Sequence, residues 1–223
     1  MTDIARAAHE AGTVRKARRD ELNRFAAVLA RAFYEDPPMR WVISDDSRRE
    51  HLLRRSFALY LRELWFKQGQ CYATESVAGA AVWELPGQWQ AGVRDQLRLL
   101  PSMVRINGRL LPRILRALAV LESNHPTEPH YYLPLVGVEP GWQGRGLGSA
   151  LVRPGLQRCD HERMPAYLEA TSPRNRALYE RHGFEVTEQF TLGPGSPPLW
   201  RMWRAPKATS DTYRAHVAPG QLT

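Results

Sequence analysis

The first third of the chain combines a short β-type segment with helical repeats of apolar residues. Residues 12–17 are typical of an edge strand, and residues 20–33 repeat apolar side chains at intervals of three and four, as one buried helix face requires. Because Pro37 and Pro38 cannot continue that helix, we expect residues 34–43 to break it. A second helical pattern covers residues 48–68.

The middle of the chain predicts a strand pair and then a long helical region. Residues 70–76 and 78–86 are short β-type segments, and the second has the small residues of a central strand. Leucines then recur at helical spacing over residues 88–121, where Pro101 and Pro112 predict breaks. We therefore expect two strands and an interrupted helix.

The rest of the chain predicts alternating strands and helices. After a loop at 122–129, a strand at 130–139 leads through a glycine-rich turn into a helix. The predicted elements that follow the turn are a helix at 146–161, a strand at 166–171, a helix at 173–182 and a hairpin of 184–192 with 198–204. The order β-α-α-β-β-α-β-α-β-α-β-β indicates a mixed sheet with helices on its faces, in an α/β or α+β fold.

Length and composition favour one folded unit. With 223 residues, of which 43% are hydrophobic, the chain can bury a substantial core. We expect a single domain over 12–204, with flexible tails at 1–11 and 205–223.

The sequence also favours a cytoplasmic protein. No run reaches the ~18 uncharged apolar residues that a membrane span needs, and the first residues lack the apolar core of a signal peptide. Cys71 and Cys159 are too few for a disulfide framework and are not spaced as a metal site. We expect no membrane partner.

The formal net charge is +8 and is carried almost wholly by arginine. Such an excess attracts nucleic acid or a phosphate-bearing cofactor, but it is equally typical of solvated helix faces. Since the arginines are spread along the whole chain and form no block, charge alone does not decide. We expect no nucleic-acid partner.

Three glycines, Gly144, Gly146 and Gly148, fall within five residues where a strand gives way to a helix. Backbone amides at a helix start lack intrahelical partners and carry partial positive charge, and glycine lets a ligand approach them closely. One interpretation is a pyrophosphate cradle. The other is a plain turn that seats the helix on the sheet.

The spacing of these glycines excludes two other phosphate-binding motifs. A nucleoside-triphosphatase loop needs a Gly-Lys-Ser/Thr ending, and no lysine follows Gly148. A dinucleotide-binding loop needs G-x-G-x-x-G, and that spacing is absent. The pattern is instead Q-x-x-G-x-G, from Gln143 to Gly148.

This pattern resembles the acyl-CoA-binding motif of GNAT-type N-acetyltransferases. The matching stretches are "VGVEPGWQGRGLGSAL" (136–151) and "LEATSPRNRALYERHGFE" (168–185), and the chain is most similar to the subfamily of puromycin N-acetyltransferase. The resemblance covers about residues 12–204, is loose over 88–121, and depends on the motifs in combination. It implies a mixed sheet of about six to seven strands, splayed at its centre, with helices on both faces.

The resemblance also implies how acetyl-CoA, the acyl donor, would bind. Pantetheine would pair with the backbone of Val136 and Val138 as an added strand does, and an amide there would receive negative charge from the thioester oxygen. Arg145 would contact phosphate, although it is also typical of a solvated loop. The remaining implied cofactor contacts are Gln143, Gly144, Gly146, Gly148, the amide of Ser149, and Asn175.

In the resembling family, the tyrosine matched by Tyr179 donates a proton to the departing CoA thiolate. A phenol, with a reference pKa of ~10, is protonated at neutral pH and suits this role. The alternative is a packing tyrosine in an amphipathic helix. Glu169, near the centre of its strand, is our candidate general base, although strand parity leaves open that it faces solvent.

The acceptor site is less specified. Asp36 is placed to hold an amine electrostatically, while Tyr34, Tyr132, Glu84 and His130 are candidates for the pocket wall that are equally typical of ordinary structure.

The reaction implied by the resemblance is direct acetyl transfer to an amine, without a cysteine nucleophile and without a metal. The leading acceptor is a small amine such as an aminonucleoside or another antibiotic. Polyamines, amino acids and protein amines remain open, as do a non-catalytic acyl-CoA sensor and a choice between monomer and homodimer.

Overall fold

Seven strands form one mixed sheet in the order β1-β2-β3-β4-β5-β7-β6 in the computed structural model, which describes residues 9, 13–68, 70–89 and 92–208. The strands are Arg15–Lys16 (β1), Cys71–Ala73 (β2), Gly79–Glu84 (β3), Tyr131–Val138 (β4), Ala166–Ala170 (β5), Glu185–Thr191 (β6) and Pro198–Arg204 (β7). Neighbouring strands run antiparallel except β4 and β5, which are parallel. Most of the expected tails, including residues 1–8 and 209–223, lies outside the described residues.

Helices cover both faces of this sheet, which confirms the expected architecture. They are Leu22–Ala32 (α1), Pro37–Val42 (α2), Asp46–Tyr60 (α3), Val93–Asn107 (α4), Leu111–Ser123 (α5), Leu147–His161 (α6) and Pro173–Glu180 (α7). Ala80 and Val82 of β3 pack with α1 and α3, whereas Ala81 and Trp83 pack with α6. None of the described helices combines the length and apolarity needed to cross a membrane.

The sheet opens between β4 and β5, as expected. The two strands pair only at Tyr131–Ala166 and Tyr132–Tyr167. Beyond these residues β4 continues to Val138 beside β3 alone. In the described part of the chain, its far edge therefore has no partner strand at the centre of the sheet.

The first helix ends before Pro37 and Pro38, as expected, but the sequence did not predict that another helix begins there. The first helix ends at Ala32, and the two prolines occupy the first turn of α2, which Asp36 caps. Proline is tolerated at this position because the missing N–H would have no intrahelical acceptor there.

The helix break expected at Pro101 is wrong. Pro101 lies inside α4, and the interruption falls at Gly108, which adopts a positive φ of 50°. Leu99 and Met103, on either side of the proline, are buried in one cluster with Leu59 of α3. This packing holds the helix together across the missing hydrogen bond.

Candidate active site

The glycine turn is shaped by backbone conformation. Gly144 and Gly146 have φ values of +78° and +86°, and an added Cβ at either would meet nothing within 4 Å. Residues with a side chain rarely adopt this backbone conformation. The turn therefore needs glycine for its positive φ angles and not because a side chain would clash. Gly146 precedes the first residue of α6, and the amides of Gly148 and Ser149 in that first turn have no intrahelical acceptor.

The side chain of Gln143 hydrogen-bonds to residues on both sides of the sheet opening. Its Nε2 donates to the carbonyl oxygen of Val138 (3.1 Å), and its Oε1 accepts from Nη1 of Arg174 (3.1 Å). Arg145 is exposed, with its guanidinium 5.7 Å from the ring centre of Trp142. Arg174, which sequence reasoning missed, adds a second exposed guanidinium beside the turn.

The free edge of β4 presents the backbone of Val136 and Val138 to the opening. Glu139 N donates to the carbonyl oxygen of Ala78 on β3 (2.9 Å), and hydrogen-bonded positions alternate along an antiparallel pair. The backbone groups of Val136 and Val138 therefore point away from β3. Their side chains are partly buried on the α6 face.

A chain of side-chain hydrogen bonds crosses the opening near the end of β5. Ser172 caps α7, and the preceding Thr171 donates its hydroxyl proton to Asp36 Oδ2. Thr171 also accepts a hydrogen bond from Asn175 Nδ2 (3.1 Å). The structure thus joins Asp36 and Asn175 through Thr171, whose role no sequence pattern indicated. Burial raises the pKa of Asp36 to about 6.

Tyr179 lies one helical turn after Asn175 and is only 7% exposed. Its ring packs edge-on against Phe184, with ring centres 6.0 Å apart. Burial raises the pKa of its hydroxyl, and the negative charges of Asp36 and Glu169 raise it further. The phenol therefore keeps its proton at neutral pH and can act as a proton donor.

Glu169 is buried and does not face solvent. Its side chain is 6% exposed, and the hydroxyl of Tyr132 donates to Oε2 (2.8 Å). Oε1 has no hydrogen-bond partner among the described residues. Burial raises the pKa of Glu169 to about 7, which suits a proton acceptor near neutral pH.

Glu84 lies directly opposite Tyr132 in the β3–β4 register and is also buried. Trp65 Nε1 donates to Glu84 Oε1 (2.6 Å) from a π-helical turn, Leu61–Trp65, that follows α3. Sequence reasoning expected ordinary helix there. Burial raises the pKa of Glu84 to about 7, and the charge of Glu169 adds to the shift.

His125 and His130 form a buried pair beside these carboxylates. Their Nε2 atoms are 2.9 Å apart, and the ring of His125 stacks on Trp89 with centres 3.6 Å apart. Burial lowers the pKa of His125 to about 3, so its imidazole is neutral at pH 7. His125 lies in the segment expected to be a plain loop, and no local signal distinguished it.

Tyr34 has different surroundings from the other acceptor candidates. Its hydroxyl donates to the carbonyl oxygen of Asp46 (3.2 Å), and the guanidinium of Arg49 lies 5.0 Å from its ring centre. These partners belong to the start of α3, so the structure does not bring Tyr34 together with Tyr132.

The cysteines and the acidic residues give no sign of other chemistry. Burial raises the pKa of both Cys71 and Cys159 to about 12, which keeps the thiols protonated. Across the part of the chain that the structure describes, no group of three or more His, Cys, Asp or Glu side chains could hold a metal ion.

A buried carboxyl, Glu169, and a buried phenol, Tyr179, thus belong to β5 and the helix that follows it, on the side of the sheet opening across from the free edge of β4. The sequence profile of the Acetyltransferase (GNAT) family matches residues 74–184. The chain is an acetyl-CoA-dependent acetyltransferase of the GNAT type.

Relatives that match most of the chain agree with this assignment. Uncharacterized N-acetyltransferase C550.08 of Schizosaccharomyces pombe is 28% identical over 199 residues, which cover 83% of this chain and 80% of the relative. A crystal structure from Corynebacterium glutamicum, of histone acetyltransferase HPA2 and related acetyltransferase, is 28% identical with a TM-score of 0.68. It aligns over 89% of this chain and 98% of its own.

The fold is also seen with CoA bound. A crystal structure of the NatC complex bound to Gag peptide and CoA superposes with a TM-score of 0.51 at 12% identity, covering 87% of this chain and 98% of that one. This similarity concerns the fold.

Proposed function

We propose that this enzyme transfers the acetyl group of acetyl-CoA directly to the amine of a small molecule. The observation that carries the proposal is the placement of Glu169 and Tyr179, both buried, at the opening between β4 and β5. The resemblance to the puromycin N-acetyltransferase subfamily supports an amine antibiotic or a similar metabolite as the acceptor.

The residues around the opening suit acetyl-CoA, which supplies the acetyl thioester. The backbone of Val136 and the backbone N–H of Val138, which point away from β3, would orient an extended chain, and an amide of this edge would stabilise negative charge on the thioester oxygen. The pyrophosphate contacts would come from Gln143, Gly144, Arg145, Gly146, Gly148 and Ser149, with Asn175 as a further cofactor contact.

Glu169 and Tyr179 would divide the proton transfers. Glu169 takes a proton from the acceptor's ammonium and leaves the nitrogen lone pair free to attack the carbonyl carbon. As the carbon–sulfur bond breaks, Tyr179 gives its proton to the departing sulfur, and the second proton that the attacking nitrogen loses restores the phenol. Asp36 and Tyr132 would orient the amine.

A protein or peptide amine is the second candidate acceptor. The Corynebacterium glutamicum structure, which includes a histone acetyltransferase, favours this alternative. A non-catalytic acyl-CoA sensor is less consistent with the residues, because a sensor has no need of the buried phenol of Tyr179.

The test is CoA thiol release from acetyl-CoA across a panel of amines that includes puromycin and a lysine-containing peptide, with acetyl-CoA binding followed by calorimetry. We expect binding, and turnover with at least one small amine. Turnover with the peptide alone would establish the second candidate. Binding without any turnover would contradict the proposed reaction.

A further inference from the structure

The acceptor side of the opening holds buried oxygen atoms that lack donors. Glu84 is 6% exposed, and so is the side chain of Glu169. Among the described residues, neither Oε2 of Glu84 nor Oε1 of Glu169 has a hydrogen-bond partner. An unpaired buried acceptor is costly, so a donor from outside the described residues is expected here. The hydroxyl of Tyr167 interacts with Glu169 but is itself without a partner at hydrogen-bond distance among the described residues.

These two carboxylates share one face of the sheet. Glu84 lies opposite Tyr132 on β4, and Tyr132 lies opposite Tyr167 on β5. Glu169 is two residues after Tyr167 and is therefore on the same face. Since Glu169 also accepts the hydrogen bond of Tyr132, the two carboxylates flank one tyrosine ring.

The histidine pair adds a further acceptor. Nδ1 of His130 lies 2.6 Å from the carbonyl oxygen of Glu128, which only accepts, so this nitrogen carries the proton. His130 Nε2 then accepts from His125 Nε2–H, and His125 Nδ1 bears a lone pair. That nitrogen is 4.0 Å from Glu169 Oε1, so two acceptors face each other.

The arginine opposite Glu169 in the β5–β7 pair, Arg201, forms its ion pair with a different carboxylate. Arg201 lies opposite Glu169 in the β5–β7 pair, but its Nη1 donates to Glu188 (2.7 Å). No ion pair between Arg201 and Glu169 is found in the described part of the chain. The charge of Arg201 still lowers the pKa of Glu169, but among the described residues no cation pairs directly with Glu84 or Glu169.

We propose that Glu84 and Glu169 together bind the ammonium group of the acceptor, so that Glu84 determines specificity for cationic amines with no carboxylate beside the nitrogen. An ammonium supplies several N–H donors and a positive charge, which match the unpaired acceptors. An α-carboxylate would place a third negative charge in the same buried space. This inference rests on the proposed function, because it assigns the acceptor class of that site.

Matched substrates test the proposal, since tyramine and tyrosine, or agmatine and arginine, differ only by the α-carboxylate. We expect kcat/KM to favour tyramine and agmatine by on the order of 10²-fold, as loss of a charge-assisted interaction predicts. Glu84→Gln keeps an oxygen for Trp65 and should raise KM for tyramine about tenfold or more, with little change in kcat. Glu169→Gln should instead lower kcat.

Glu75→Gln is the control, because Glu75 is an exposed carboxylate paired with Arg15. It should leave all constants unchanged. Equal use of tyrosine and tyramine, or an unaltered KM in Glu84→Gln, would overturn the ammonium site while the acetyltransferase reaction stood.

A binding readout separates the two proposals. In the presence of CoA, tyramine should raise the Tm of the wild-type protein and tyrosine should not, and Glu84→Gln should abolish the increase. Such binding without turnover would refute the proposed reaction but support the ammonium site. No amine-induced shift and no turnover would refute both.

Discussion

Burial gives Glu169 and Tyr179 opposite roles through the same physical effect. Removing either group from water disfavours its charged form and raises its pKa. For Glu169 the increase brings the pKa to about 7, where a carboxylate still accepts protons at neutral pH. For Tyr179 the higher pKa keeps the hydroxyl protonated at neutral pH. Burial thus suits Glu169 to the proposed role of base and Tyr179 to the proposed role of acid.

Tyr179→Phe should therefore lower kcat by on the order of 10²-fold or more, because a general acid contributes about 10²–10⁴ to a rate. Calorimetry should show nearly unchanged acetyl-CoA affinity, since the ring and its packing on Phe184 remain. The matched control is Tyr72→Phe, whose hydroxyl donates to Gln70 (3.2 Å) away from the opening. Wild-type turnover in Tyr179→Phe would exclude this tyrosine as the proton donor.

At the scale of elements, the packing of α6 on the sheet holds the glycine turn in place. Gly155, in the middle of α6, packs directly against the indole of Trp83 on β3, and a Cβ there would overlap the indole atoms Cε2, Nε1 and Cδ2. Trp83 is 1% exposed, so it has little room to move. The small residue sets how closely the helix approaches the strand.

Gly155→Ala should lower the free energy of unfolding by about 1–3 kcal/mol, because overpacking a tight contact outweighs the ~1 kcal/mol gained from replacing a helical glycine. Urea unfolding of Gly155→Ala and of Gly141→Ala measures the difference, since an added Cβ at Gly141 meets nothing within 4 Å. Adding Trp83→Phe should relieve part of the loss. A Gly155→Ala variant as stable as wild type would contradict this packing.

Local patterns were sufficient to predict the order of elements and the glycine turn. Hydrophobic periodicity and turn residues are local signals that span a few positions, and they were enough to predict the strand, turn and helix around Gly146. The face to which a strand side chain points depends on pairing between distant segments, and an extra residue on β4 opposite Val82–Glu84 reverses the alternation of faces along β4. Alternation along β5 puts Glu169 on the face opposite Leu168 and Ala170, but whether that face is covered depends on the elements that pack on it. The burial of Glu169 therefore could not be decided from its own strand.

Other features of the site were missed for the same reason. The stacking of Trp89 on His125 and the hydrogen bond from Trp65 to Glu84 join residues far apart in sequence. Only their tertiary positions create the contact. The break at Pro37 and Pro38 was predicted but the short helix that begins there was not, because proline is common both after a helix and at a helix start.

For the whole molecule, buried carboxyls and buried histidines oppose each other in the dependence of stability on pH. The pKa of Glu84 is raised from 4.5 to about 7, so its stabilising contribution is present at low pH and is lost as pH rises toward 7. The pKa of His125 is lowered from 6.5 to about 3, so its contribution is lost as pH falls below 6.5. Above pH 6.5, therefore, the free energy of unfolding still depends on pH through Glu84 but no longer through His125.

Glu84→Gln isolates the carboxyl effect, because the histidine contribution cancels in the comparison with wild type. Without ligands, the variant should gain about 3 kcal/mol of unfolding free energy relative to wild type between pH 5 and pH 8, from 1.36 kcal/mol per pKa unit. Urea titrations of both proteins at the two pH values measure this change. The same stability difference at both values would show that Glu84 does not titrate in this range.

The two faces of the sheet separate the proposed CoA contacts from the proposed acceptor contacts. The glycine turn, α6 and the side chains of Val136 and Val138 belong to one face, whereas Glu84, Tyr132 and Glu169 belong to the other. For enzyme redesign, this division means that a library varying Glu84 and its neighbours would explore new substrates without rebuilding the CoA site. Donor affinity and acceptor choice would then evolve as independent traits of one scaffold.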